Sequence, residues 1–230
     1  MVTPQAVICD AVIFDVDGVL VDSYQAHFLS WRSMLAELGA RSAEDPFTEE
    51  QFRATFGRTS RDIIAQLYPG ELTDEEIHRL DDRKEALFRD LLRQDFPAID
   101  GAADLVEMLA DAGFAMAVGS SGPPENVQLT LDSLACGNLF SAQVTGGDVT
   151  RGKPDPQVFL MAAQRLGVSP ERCAVVEDAP AGVEAANRAE MASIGLVGTA
   201  TRDQLSHARL VIDSLHELSP SIIAKLINGC

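Results

Sequence analysis

From about Asp100 onward, short apolar runs alternate with segments whose apolar residues recur at helical spacing, and few folds accept that pattern. A helix through Ala103 to Leu109, ending near Gly113, precedes the strand Ala115 to Gly119, and a helix beginning near Pro124 precedes Ala142 to Thr145. A helix from Pro156 to Leu166, stopped by Gly167, leads to Ala174 to Val176; a helix from Val183 to Ala189 leads to Ile194 to Val197, with Leu210 to Ile212 beyond. Alternation of this kind builds a parallel sheet with helices on both faces. A further apolar run, Ala11 to Phe14, lies far upstream, so the predicted fold is α/β: a doubly wound, Rossmann-like parallel sheet with an insertion after its first strand.

The stretch from Tyr24 to Pro97 has helical spacing, few Gly and Pro, and no buried strand, so it reads as a helical insertion. Phe28, Trp31, Leu35 and Leu38 form one stripe, and a charged helix from Thr73 to about Leu92 starts with Thr73 as N-cap and Glu76 in capping-box position. The expected division is a catalytic core of residues 1–22 and 99–230 and a cap of residues 23–98. An insertion placed after the first strand would hang over the carboxyl ends of the sheet, where open α/β folds bind ligands, and can act as a lid.

That first strand ends in Asp15-Val16-Asp17-Gly18. In extended backbone the two acids point the same way, and Gly18 lets the chain leave at dihedrals closed to other residues. An ionised acid at the end of a buried strand is costly without a cation or hydrogen bonds to compensate it. In isolation the pattern also suits an Asp-Gly turn between two strands. Three other strand ends carry chemistry. Ser120-Ser121-Gly122-Pro123-Pro124 offers hydroxyls and a helix start suited to an anion, although it is also ordinary loop composition. Lys153, within Arg151-Gly152-Lys153-Pro154-Asp155-Pro156, is a cation in a loop stiffened by two prolines; a solvated surface lysine is the alternative. Glu177-Asp178 ends the run Ala174 to Val176, and a second pair of oxygen donors favours Mg2+ over zinc, unless Asp178 serves as a helix cap.

Composition narrows the function. The formal net charge of −17 over 230 residues argues against binding nucleic acid or an anionic membrane. Hydrophobic residues make up 46% and charged residues 23%, ordinary for a soluble enzyme, and no apolar run approaches the ~20 residues of a membrane span. Cys9, Cys136, Cys173 and Cys230 lack metal-binding spacing and read as reduced thiols, which with the absence of a secretory signal points to the cytoplasm.

In this order, DxDGxxxDS, a strand ending in Ser, GKPDP and VVEDAPAG closely resemble the four motifs of the haloacid dehalogenase superfamily of aspartate-nucleophile phosphotransferases, and the insertion resembles its C1-type cap. The resemblance implies that Asp15 is the nucleophile, forming an aspartyl-phosphate, and Asp17 the general acid/base. It implies that Ser120, with Ser121 beside it, and Lys153 hold the phosphoryl group. Mg2+ would be bound by Asp15, the backbone carbonyl of Asp17 and Asp178, with Glu177 helping directly or through water.

Asp17 points to phosphate esters, because dehalogenases and phosphonatases of this superfamily lack that acid. The run from Asp22 to Phe28, containing His27, and the pair Arg83-Lys84 are similar to the β-phosphoglucomutase group. The cap segment Gly57, Arg58, Ser60, Arg61 places Ser60 where that group carries a second phosphate-gripping Arg, leaving Arg58 or Arg61 to substitute, and Gly122-Pro123-Pro124 lacks that group's polar loop residues. The expectation is therefore a Mg2+-dependent phosphatase of small phosphorylated metabolites such as sugar or polyol phosphates. A β-phosphoglucomutase-type sugar phosphomutase is the alternative, and a catalytically idle binding module lies further off. The substrate and the oligomeric state stay open at this point.

Overall fold

The computed structural model describes residues 10–42, 44–55, 60–68 and 70–229, apart from the side chain of Arg61. Six strands, β1 (Ala11–Phe14), β2 (Ala115–Gly119), β3 (Ala142–Val144), β4 (Cys173–Glu177), β5 (Ala192–Leu196) and β6 (Leu210–Ile212), form one sheet. All neighbours are parallel and the order is β3-β2-β1-β4-β5-β6. The chain winds outward from β1 through β2 and β3, then crosses back to β4 on the other side of β1. That reversal makes the β1/β4 boundary the switch point where such sheets bind ligands.

Nine α-helices accompany the strands among the described residues. The insertion holds α1 (Tyr24–Glu37), α2 (Glu49–Arg53), α3 (Ser60–Leu67) and α4 (Asp74–Gln94). The remainder holds α5 (Ala102–Asp111), α6 (Pro124–Ser133), α7 (Gln157–Leu166), α8 (Pro180–Arg188) and α9 (Pro220–Asn228). The described residues group into two compact units, one running up to Asp22 and resuming at Ala98, the other Ser23–Pro97. None of the described helices is long and apolar enough to cross a membrane.

In the larger unit every residue of β1 and β4 is buried. Small side chains on the flanking helices, Ala162 and Ala163 of α7 and Ala185 and Ala186 of α8, pack in one cluster with Ile13, Ala117, Val175 and Phe159. Alanines there let the helix backbones approach the sheet, so aliphatic strands and small helical residues fill the space between layers together. Helix α8 begins at Pro180, because proline suits a helix's first turn. It gives way to β5 through Glu190, whose φ of 61° is left-handed. A glycine would take that conformation at less cost.

The smaller unit is entirely helical. Thr73 caps α4 with the expected box: its Oγ1 accepts from Glu76 N at 3.3 Å while its own N–H donates to Glu76 Oε2 at 2.8 Å. Phe28, Trp31 and Leu35 of α1 pack with Phe47, Phe52, Ile64 and Leu80. Leu38 does not join this stripe. The helix stops at Glu37, Gly39 turns the chain at φ 65°, and Leu38 is left 37% exposed. Cys136 and Cys173 are free and buried, while Cys9 and Cys230 lie outside the described residues.

Candidate active site

Phe14 stands in register with Val118 of β2 and Val176 of β4, so the residues that follow these positions emerge side by side at the carboxyl edge of the sheet. Asp15 is the first residue beyond β1, and its N–H still donates to Val176 O at 2.9 Å, holding the carboxylate close to the end of β4. Lys153, from the loop before α7, reaches across this edge. Its Nζ donates to Asp15 Oδ1 at 2.5 Å, to Glu177 Oε1 at 2.7 Å and to Gly119 O at 3.2 Å, and sits 4.9 Å from the centre of the Phe159 ring. The lysine is therefore a largely buried cation held at the strand ends and not a solvated surface group.

Glu177 uses both oxygens. While Oε1 meets Lys153, Oε2 accepts from Asp178 N at 2.9 Å and Ala179 N at 2.8 Å, at the entrance to α8. Two glycines make room for these acids. A Cβ on Gly182 would lie 1.7 Å from Glu177 Oε1, and one on Gly18, whose φ is 77°, would lie 1.9 Å from Asp178 Oδ2. Asp178 does not cap α8, whose N-cap is Ala179. The same Gly18 Cβ position lies 3.1 Å from Thr199 Oγ1, so that hydroxyl borders the space the Asp178 carboxylate occupies.

Asp15, Glu177 and Asp178 are all buried and offer carboxylate oxygens within 4.8 Å of one another. Three carboxylates against the one ammonium of Lys153 leave a surplus of two negative charges when all are ionised. The electrostatics follow. Burial, opposed by Lys153 and reinforced by Glu177 and Asp17, raises the Asp15 carboxyl to about 7. Burial, then Glu177 and Asp15, pushes Asp178 up as well. For Lys153 burial acts downward, but Asp15 and Glu177 outweigh it and hold the ammonium more tightly protonated than an ordinary lysine. A buried, oxygen-only donor set with surplus negative charge suits a hard divalent cation such as Mg2+, and these residues fit one.

The remaining expected residues fall into three groups. Ser120 is buried beyond β2, its Oγ accepting from Gly122 N at 3.0 Å, whereas Ser121 is exposed; α6 then opens with Pro124. Asp17 lies beside this loop, its Oδ2 3.8 Å from where a Gly122 Cβ would be, so an acid borders the hydroxyl-rich segment. The carboxylate of Asp17 is outside the acidic trio. Within the helical unit His27 and Lys84 come together at 2.9 Å, with Lys84 also bonding Glu85 at 2.7 Å and His27 stacked on Phe88. Arg83 turns to Glu37 of α1 at 2.6 and 2.8 Å, an exposed link between helices. Gly57, Arg58 and the side chain of Arg61 lie outside the described residues.

Sequence reasoning overlooked three contributors. Phe159 supplies the ring against Lys153, and the six-residue separation within one loop and helix start was the only hint of it. Gln157 Oε1 accepts from Thr150 N at 3.1 Å and Arg151 N at 3.0 Å, clamping the loop that carries Lys153. Thr199 comes to the same Gly18 turn as Asp178, its Oγ1 3.1 Å from the Gly18 Cβ position, from a segment after β5 that carries no motif.

Comparison with known proteins agrees with this architecture. The haloacid dehalogenase-like hydrolase family model matches residues 9–190. The chain is 32% identical over 184 residues to a phosphorylated carbohydrates phosphatase of Thermotoga maritima, covering 78% of this chain and 81% of that protein. It is 31% identical over 195 residues to a β-phosphoglucomutase of Bacillus subtilis, covering 81% and 82%. The crystal structure of a HAD hydrolase, family IA, variant 3, from Entamoeba histolytica superposes with a TM-score of 0.85 at 27% identity, covering 95% of this chain and 99% of that one. A motif-bearing carboxyl edge, a family match across most of the chain and relatives above 30% identity over most of their length lead to one conclusion: this chain belongs to the haloacid dehalogenase-like hydrolases.

Proposed function

We propose that this protein is a Mg2+-dependent phosphatase of small phosphorylated metabolites, sugar or polyol phosphates in particular, acting through an aspartyl-phosphate on Asp15. The observation that carries the reading is the surplus of carboxylates around Lys153 at the switch point of the sheet. An anionic nucleophile and a phosphate dianion repel: unit charges ~4 Å apart at an effective dielectric of ~20 oppose each other by about 4 kcal/mol. Asp15, Asp178 and the backbone carbonyl of Asp17 would hold Mg2+, with Glu177 supporting through Lys153 and the start of α8. When bound, the ion supplies charge neutralisation for nucleophile and phosphate together.

The protein's own groups do the rest. An Asp15 oxygen forms a bond to phosphorus as the bond to the ester oxygen breaks, and Asp17 delivers a proton to that departing oxygen. Asp17, now a carboxylate, then takes a proton from the water that attacks phosphorus, releasing inorganic phosphate and restoring the Asp15 carboxylate. Lys153 and Ser120 steady the equatorial oxygens, which is most of what phosphoryl transfer requires of a protein. The helical unit Ser23–Pro97 is read as the cap that selects the substrate. The Thermotoga relative, named for phosphorylated carbohydrates, favours that substrate class.

A second reading, a sugar phosphomutase, draws on the 2.9 Å contact between His27 and Lys84 and on the Bacillus relative. Incubation with β-glucose 1-phosphate, Mg2+ and a bisphosphate activator separates the two: phosphate release faster than glucose 6-phosphate formation is expected, and the reverse makes the protein a mutase. Asp15→Asn is expected to lower release of phosphate from a panel of sugar phosphates by at least about 1,000-fold. Full retention of activity in that variant would misplace the nucleophile.

A further inference from the structure

The connection between β3 and α7, residues 145–156, carries Lys153 and forms no helix or strand of its own, so side chains take up its backbone donors. Its first part closes on Asp148, whose Oδ2 accepts from Thr145 N at 2.8 Å. Its second part closes on one atom: Gln157 Oε1 accepts from Thr150 N at 3.1 Å, Thr150 Oγ1 at 3.2 Å and Arg151 N at 3.0 Å. From the other side Gln157 N donates to Asp155 Oδ1 at 3.0 Å, and Asp155 Oδ2 accepts from Arg151 Nε at 2.6 Å. The stretch from Thr150 to Gln157 is thus tied end to end by hydrogen bonds, with Lys153 at its middle.

Helix α7 begins at Gln157, and its first turn serves the lysine twice. At Gln157 it grips the loop's backbone. Two residues on, Phe159 is fully buried, and the centre of its ring lies 4.9 Å from Lys153 Nζ. Phe159 N donates to Pro156 O at 3.1 Å, and a Cβ on Gly119 would lie 3.0 Å from Phe159 Cδ1, so the missing side chain on β2 gives the ring its room. Loop backbone and ammonium are both held against one buried helix turn.

Such a hold matters because a lysine carries its charge on a flexible four-carbon stem. Asp15 and Glu177 fix where the ammonium rests, but neither fixes the backbone it comes from. A phosphate entering beside Asp15 must draw the ammonium onto its own oxygens, and the loop then sets the direction of approach. We propose that Gln157 is a positioning residue for Lys153: its Oε1 holds the loop so that the ammonium is presented to a phosphate, and losing that oxygen weakens phosphate binding while leaving the fold intact. This rests on the reading of Lys153 as a phosphate-holding group given above. Thr150 and Arg151 are exposed, so water replaces the lost bonds at little cost to stability. A displacement of about 1 Å is nonetheless enough to spoil a positioned contact.

Calorimetric titration of inorganic phosphate into the full chain in saturating MgCl2, for wild type, Gln157→Met and Gln157→Glu, tests the idea alongside urea midpoints. Gln157→Met keeps the length and loses the oxygen, so its Kd for phosphate is expected to rise by about 10-fold with the midpoint unchanged. Gln157→Glu keeps an acceptor oxygen at the same reach and is expected to bind like wild type. Wild-type affinity in Gln157→Met overturns this inference and leaves the phosphatase reading standing. So does a weakening that Gln157→Glu shares, because the acceptor would then not be what counts, and so does a loss in Gln157→Met that the urea midpoint follows. Failure of wild type to bind phosphate overturns the reading of Lys153 as a phosphate-holding group, and this inference with it.

Discussion

Lys153 and Lys84 are both nearly buried, with side-chain exposures of 9% and 3%, yet they occupy opposite electrostatic settings. Lys153, in the sheet unit, touches two carboxylates and a carbonyl oxygen, with a third carboxylate in the same cluster. Lys84, in the helical unit, touches one carboxylate and His27 Nδ1, and lies 5.5 Å from the Trp31 ring and 5.3 Å from the Phe88 ring. The first site gathers more negative charge than it neutralises, an arrangement that costs folding energy and suits binding of a cation. The second pairs its charge once and surrounds it with aromatic faces, which attract a cation without adding net charge. A buried lysine is by itself ambiguous; the charge balance around it distinguishes a site built for an ion from one that closes on itself.

The largest expected effect is at the first site. Lys153→Met leaves Asp15 and Glu177 buried beside Asp178 without their shared cation, and stability in urea without metal should fall by about 3 to 5 kcal/mol. Activity should fall with it, since on the proposed mechanism Lys153 also steadies the phosphoryl oxygens. Lys84→Met should cost less, about 1 to 2 kcal/mol, because a flexible thioether packs against Trp31 and Phe88 while Glu85 loses its salt bridge and Asp81 a neighbouring cation. Equal losses in the two variants would break the comparison.

The smallest expected effect lies away from both lysines. Asp148 accepts from Arg165 Nη2 at 2.6 Å and from Thr145 N at 2.8 Å, and these bonds, Arg165 first, hold its carboxyl down at about 2. A carboxyl lowered on folding adds stability that is complete above its ordinary value of 3.8 and is lost as the pH falls through 2. The side chain is 28% exposed, so Asp148→Asn should cost no more than about 1 kcal/mol near neutral pH. The gap between variant and wild type should close between pH 4 and pH 2 in thermal melts. A gap that widened on acidification would show the bond to Arg165 contributes nothing.

Much of the sheet was legible because its strands are short, mostly apolar and separated by helix stops. Ala115 to Gly119 lies where its run places it, since a strand buried on both faces admits few residue types, and Leu210 to Ile212 at the sheet edge also matches its run. The start of α4 was legible because Thr73 and Glu76 interact within one turn. The end of α1 was not: the periodicity that carries Phe28, Trp31 and Leu35 inward runs on to Leu38, and only the left-handed turn at Gly39 takes that residue out. Local patterns report local hydrogen bonds well, and they report where a helix leaves its neighbours poorly.

The site divides along the same line. Asp15, Glu177 and Asp178 could be singled out from sequence because each stands at the end of an apolar run, where a charge must be compensated, and Lys153 because it is a cation in a loop stiffened by two prolines. Sequence by itself determined which residue types wait at the strand ends and that oxygen donors and one ammonium are available to a phosphate. Tertiary structure alone decided that Lys153 spans Asp15 and Glu177, and that Gly18 and Gly182 yield their side-chain space to Asp178 and Glu177. The physical reason is range: burial of a strand end is a property of neighbouring residues in the chain, whereas the charge balance of a cluster depends on segments that meet only once the parallel strands have come into register.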